Sequence, residues 1–82
     1  MKQTVYQHKV LPHKALVTSE QGLWFEFYIE DAKDLSYLEK SIFLEAYQVY
    51  APLEKPLYKP EELVPLRAEA RAKGILVPRE FE

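Results

Sequence analysis

The clearest period in the chain runs from Leu23 to Glu30. Leu23, Phe25, Phe27 and Ile29 fall on one side of a strand, and Trp24, Glu26, Tyr28 and Glu30 fall on the other. Two shorter apolar runs precede it. Thr4 to Leu11 is β-branched and aromatic until Pro12 interrupts it, and His13 to Ser19 holds Ala15, Leu16 and Val17. Glu20-Gln21-Gly22 is a turn signal, because glycine takes positive φ without a steric cost. Residues 1–30 are therefore expected to form three antiparallel strands, with a hairpin around Gly22.

A different period follows. Leu35, Leu38, Ile42, Ala46 and Val49 share a face at helical spacing, and Phe43, Tyr47 and Tyr50 make an aromatic stripe beside it. Asp31, Asp34 and Ser36 are candidate N-caps, with Ser36 and Glu39 spaced as a capping box. The pattern predicts one long helix within residues 31–51, its body running from about Asp34 to Ala51, where Pro52 stops it. Residues 52–59, Pro-Leu-Glu-Lys-Pro-Leu-Tyr-Lys, repeat a PLxK unit and read as a stiff connector pinned by Leu53 and Leu57. A second, shorter helix is expected over 60–74. It opens on Pro60-Glu-Glu, carries an awkward Pro65 and ends at Gly74. Residues 75–82 read as a short strand or tail. The expectation is a single α+β domain, with a three-stranded antiparallel sheet packed by one long helix, then the connector and the second helix.

The apolar surface of the first helix is wider than one packing partner needs. Two coverings compete for it: the second helix of the same chain, or the same surface of a second copy. The favoured expectation is a small non-catalytic interaction or regulatory module, homodimeric through Phe43, Tyr47 and Tyr50. Trp24 and Tyr28 on the outer sheet face are then available to a further protein partner.

Composition narrows the alternatives. The chain has 82 residues, a formal net charge of −2 and no cysteine. A disulfide framework and a thiolate metal site are excluded within one chain. The start mixes Gln, His and Lys among apolar residues, unlike a signal peptide, and no apolar run reaches the roughly 20 residues of a membrane span. A cytoplasmic protein with no membrane contact is the expectation. The absence of Asn and the abundance of Glu, Lys, Arg and Pro resemble the bias of heat-stable proteins.

The slightly acidic balance argues against general nucleic-acid binding. The alternative reading is single-strand binding by base stacking on Trp24 and Tyr28, against which Glu26 and Glu30 on the same face would repel phosphates. Arg67 and Arg71, four apart on the second helix, are a candidate anion grip or an ordinary solvated face. A small enzyme with sites between subunits is a further alternative, with His13 and Arg67 brought to a shared cleft. No catalytic group is identifiable: His8 and His13 have no placed partner, and no metal motif is present. With glycine only at 22 and 74, phosphate-binding and dinucleotide loops are excluded, and no cofactor is expected.

Overall fold

A computed structural model describes residues 3–81. Among these residues the order is β1 (Thr4–His8), β2 (Lys14–Gln21), β3 (Trp24–Ile29), β4 (Ser36–Glu39), α1 (Lys40–Ala46), β5 (Tyr47–Pro52) and α2 (Pro60–Ala72). A 3₁₀ turn at Arg79–Phe81 follows. The strands form one antiparallel sheet in the order β4-β3-β2-β1-β5. The α+β class holds, but the three-stranded sheet and the single long helix do not.

The correction has a local cause. Within 31–51 the chain makes a strand, a short helix and a second strand. Ser36 and Glu39 do not form a capping box, since Ser36 lies in β4 opposite Phe27 and the α1 N-cap Glu39 makes no side-chain cap bond. In β4, Tyr37 and Leu38 point to opposite faces, one toward Phe81 and the other into the Phe43 cluster. The residues Tyr47, Val49 and Tyr50 favour a pleated strand, and β1 supplies the ladder for it. Phe43 and Tyr47 still stack at helical spacing, with ring centroids 4.4 Å apart, but the pair straddles the junction of α1 and β5.

Two turns fix the hairpins. Gln21 pairs with Trp24 across Gly22-Leu23, and Gly22 at φ 58° occupies the first central position that a right-twisted hairpin requires. His8 closes the β1–β2 loop. Its Nδ1 accepts the backbone N–H groups of Val10 (3.1 Å) and Leu11 (2.9 Å), so the neutral ring carries its proton on Nε2.

One face of the sheet and α1 enclose the main core, formed by Tyr6, Ala15, Val17, Phe25, Phe27, Phe43 and Tyr47. Phe43 is fully buried, edge-on to both Tyr6 and Phe25. The helix leaves β4 at one edge of the sheet and enters β5 at the other, with no intervening loop. Seven helical residues advance about 10 Å, whereas four strand-to-strand steps in a flat sheet span about 19 Å. The sheet must therefore curl around α1, which fills its concave side.

The opposite face is covered by α2 and the C-terminal segment. Ala70, Val77 and Phe81 pack there with Trp24, Tyr37 and Ile75. The helix continues through Pro65 and ends on Gly74 at φ 87°. Ile75 N–H bonds to Ala70 O and Gly74 N–H to Arg71 O, both at 3.0 Å, which satisfies the last carbonyls and turns the chain back onto the sheet. Among the described residues no helix is long and apolar enough to cross a membrane.

Candidate functional site

The convex face divides into two regions. Beneath α2 lies a polar centre built on Glu26, which the alternation of β3 points away from the aromatic core. Its carboxylate is fully buried. Arg67 grips it from α2 with both prongs, Nε to Oε2 at 2.6 Å and Nη2 to Oε1 at 3.0 Å. The Tyr37 hydroxyl donates to Oε2 at 2.6 Å, and the Thr18 hydroxyl donates to Oε1 at 2.9 Å. Thr18 reaches that position because β2 carries an extra residue between Val17 and Ser19. The Arg67 guanidinium also lies over the Phe81 ring, 5.4 Å from its centroid.

The cluster raises Tyr37 and Arg67. Burial, then the hydrogen bond to Glu26, holds the Tyr37 phenol far above its ordinary value of 10.0. The hydrogen bond to Glu26 also raises Arg67. The anion that Arg67 holds is thus a side chain of its own protein. Arg71 is exposed.

Beside this centre the same face is open. Val5, Leu16 and Tyr28 form the floor of a groove of about 410 Å³, and Leu57, Tyr58 and Leu66 form its far wall. Tyr28 and Tyr58 stack with centroids 5.4 Å apart. Burial first, then Tyr58, raises the Tyr28 phenol above its ordinary value. Lys14, Glu30, Asp31 and Lys33 rim one end. There Asp31 adopts φ 69° in a turn closed by Ala32 N–H to Ile29 O, a left-handed conformation that Asp tolerates better than most residues. Lys14 extends its ammonium over the exposed Tyr50 ring, 4.7 Å from the centroid.

The far wall is held by a residue that sequence reasoning passed over. Gln3 is buried, and its Oε1 accepts the N–H groups of Leu57 (2.7 Å) and Tyr58 (3.2 Å). Its Nε2 donates to the carbonyls of Tyr58 (2.8 Å) and Thr18 (3.3 Å). One amide therefore straps the connector to the sheet, a task that the sequence reading gave to Leu53 and Leu57. Leu57 instead leaves 63% of its surface exposed at the groove.

The residues singled out from sequence are distributed as follows. Tyr28 lines the groove and Tyr50 stands beside it. Trp24 packs against the Ala70, Val77 and Phe81 cluster, separated from Tyr28 along β3 by the Glu26–Arg67 pair. Phe43 and Tyr47 are core residues on the concave side. Tyr47 also bonds to His13 Nε2 at 2.8 Å, and His8 packs against both rings. Neither the groove nor the polar recess next to it is lined by His8 or His13. Among the described residues no group of three or more His, Cys, Asp and Glu is placed to hold a metal ion. Comparison with family models, curated proteins and solved structures finds no match to this chain.

Proposed function

We propose that this protein is a small non-catalytic interaction module whose groove takes a short apolar segment of a protein partner. The observation that carries this reading is the lining of the groove. Val5, Leu16, Leu57 and Leu66 supply branched apolar surface, and the stacked Tyr28 and Tyr58 supply rigid aromatic area at low entropic cost. Its volume of about 410 Å³ lies near the small end of the roughly 300–1,000 Å³ typical of ligand sites. That suits one or two leucine- or phenylalanine-sized side chains.

The polar chemistry supports the same reading. Every buried side-chain nitrogen and oxygen among the described residues already has a partner, so the groove floor offers a ligand apolar contact rather than an unpaired buried polar group. Arg67, the guanidinium beneath α2, is committed to Glu26. Tyr28 is paired with Tyr58 and Trp24 is engaged by the C-terminal segment, which leaves little of a continuous base-stacking platform.

The test is selection of peptides from a random displayed library on the wild-type protein, with a Leu57→Asp variant as the counter-target. Leu57 is exposed, so the variant keeps its fold. Peptides rich in spaced leucine, isoleucine or phenylalanine are expected, binding the variant at least about tenfold more weakly because a buried apolar contact is replaced by a desolvated charge. Selection that yields no wild-type binders, or binders indifferent to Leu57→Asp, overturns the proposal.

A further inference from the structure

The loop between β1 and β2 is closed by a single ring nitrogen. Residues 9–13 join the two strands, and Pro12 has no N–H to offer. Val10 and Leu11 both donate their N–H groups to His8 Nδ1, at 3.1 and 2.9 Å. The base of the loop is held separately, by His8 N–H to His13 O at 3.0 Å and Gln7 Nε2 to the same carbonyl at 3.1 Å. Lys9 N–H reaches out of the loop to Ala46 O, at the end of α1.

We infer that His8 is a proton-operated latch, which holds the turn at residues 9–12 closed while its ring is neutral and opens it when the ring takes up a proton. An imidazole nitrogen accepts a hydrogen bond only while it is unprotonated. A proton on Nδ1 turns this acceptor into a donor that faces two N–H groups, and both loop bonds are lost. The closed turn therefore binds one proton fewer than the open turn. Acid favours opening, beginning near the pH of about 6.5 at which an unconstrained histidine titrates.

The groups around His8 do not offset this. His13 lies beside it with ring centroids 5.0 Å apart, and Tyr47, from the α1–β5 junction, meets it edge-on at 4.9 Å. Lys9 follows it in the loop. Among the described residues no carboxylate lies within ion-pair distance of either imidazole. His13 keeps a partner in both protonation states, because its Nε2 faces the Tyr47 hydroxyl at 2.8 Å, which both donates and accepts. The proton that the closed turn rejects is thus the one on His8. Neither histidine lines the groove, so the latch stands apart from peptide binding there.

NMR tests this through amide hydrogen exchange and imidazole nitrogen shifts. Near pH 8 His8 is expected to carry its proton on Nε2, with Nδ1 bare. Protection of the Val10 and Leu11 amides, corrected for the intrinsic pH dependence of exchange, is expected to fall at least about tenfold between about pH 7.5 and about pH 5. The fall should follow the His8 titration while the amides of β2 and β3 stay protected. His8→Asn puts an amide oxygen where Nδ1 stands and takes up no proton, so its Val10 and Leu11 amides should stay protected at both pH values. His13→Gln should keep the wild-type response. A proton on Nδ1 near pH 8, equal protection at both pH values, a response that survives His8→Asn, or one that vanishes in His13→Gln overturns the inference. If His8→Asn fails to hold the turn at neutral pH, the wild type decides, and loop amides that do not follow the His8 titration overturn it.

Discussion

A single buried carboxylate organises the convex side of this protein. Glu26 alternates with Phe25 and Phe27 along β3, so the strand that builds the aromatic core also buries a charge behind it. Burial of an isolated carboxylate is prohibitive, and the partners Arg67, Tyr37 and Thr18 come from three other elements. Removing one partner leaves the charge uncompensated, a loss of about 3–5 kcal/mol for a buried pair. Arg67→Met is expected to lose stability on this scale in urea unfolding. Glu26→Gln with Arg67→Met should cost less than the two single changes added together. Additive losses would show that the pair does not act as a unit. The sequence made the outward face of Glu26 legible. It could not reveal the pairing, because Arg67 lies far along the chain and meets Glu26 only once α2 covers this face.

At the scale of elements, legibility varied with how far one period excluded another. The strict alternation of Leu23–Glu30 fits only a strand, and Phe25, Phe27 and Ile29 do share the core side. Residues 36–50 fit two periods. Their apolar residues recur at helical spacing, but Tyr47-Gln-Val-Tyr50 has strand composition, and pairing with β1 decides the matter. The prolines and leucines of the connector are its visible sequence signal, while its anchor is Gln3, whose four bonding contacts have no sequence signature. Gln3→Ala leaves the N–H groups of Leu57 and Tyr58 without their acceptor. About 1–3 kcal/mol of stability should be lost, and groove-binding peptides should weaken because the Tyr58 wall is released. Unchanged affinity for such peptides in Gln3→Ala would separate the connector from the binding surface.

The whole molecule carries its tyrosines in unequal settings. Of the six, Tyr6, Tyr28, Tyr37 and Tyr47 are all raised above the ordinary 10.0, with burial as the first cause in each. The unfolded chain releases these protons near pH 10, while the folded chain still holds them. Above about pH 10 the unfolded state therefore binds fewer protons, and stability must fall as pH rises. Alkaline titration followed by phenolate absorbance should show a delayed group of phenols that appears abruptly on unfolding. Tyr37→Phe should lessen the alkaline loss of stability. A single smooth titration of all six phenols in the folded protein would contradict this account.

The position of β1 in the sheet has a kinetic consequence. Val5 meets Leu16 across a local hairpin, but it meets Ala51 only after most of the chain has been traversed. Strands β1 to β4 follow one another as neighbours, so they can zip together through short loops, whereas the β1–β5 pairing requires a long loop to close first. Docking of the last strand is thus the slow, late event of refolding. Until it occurs, the interior strand β1 is itself an open edge, available for mispairing with other chains.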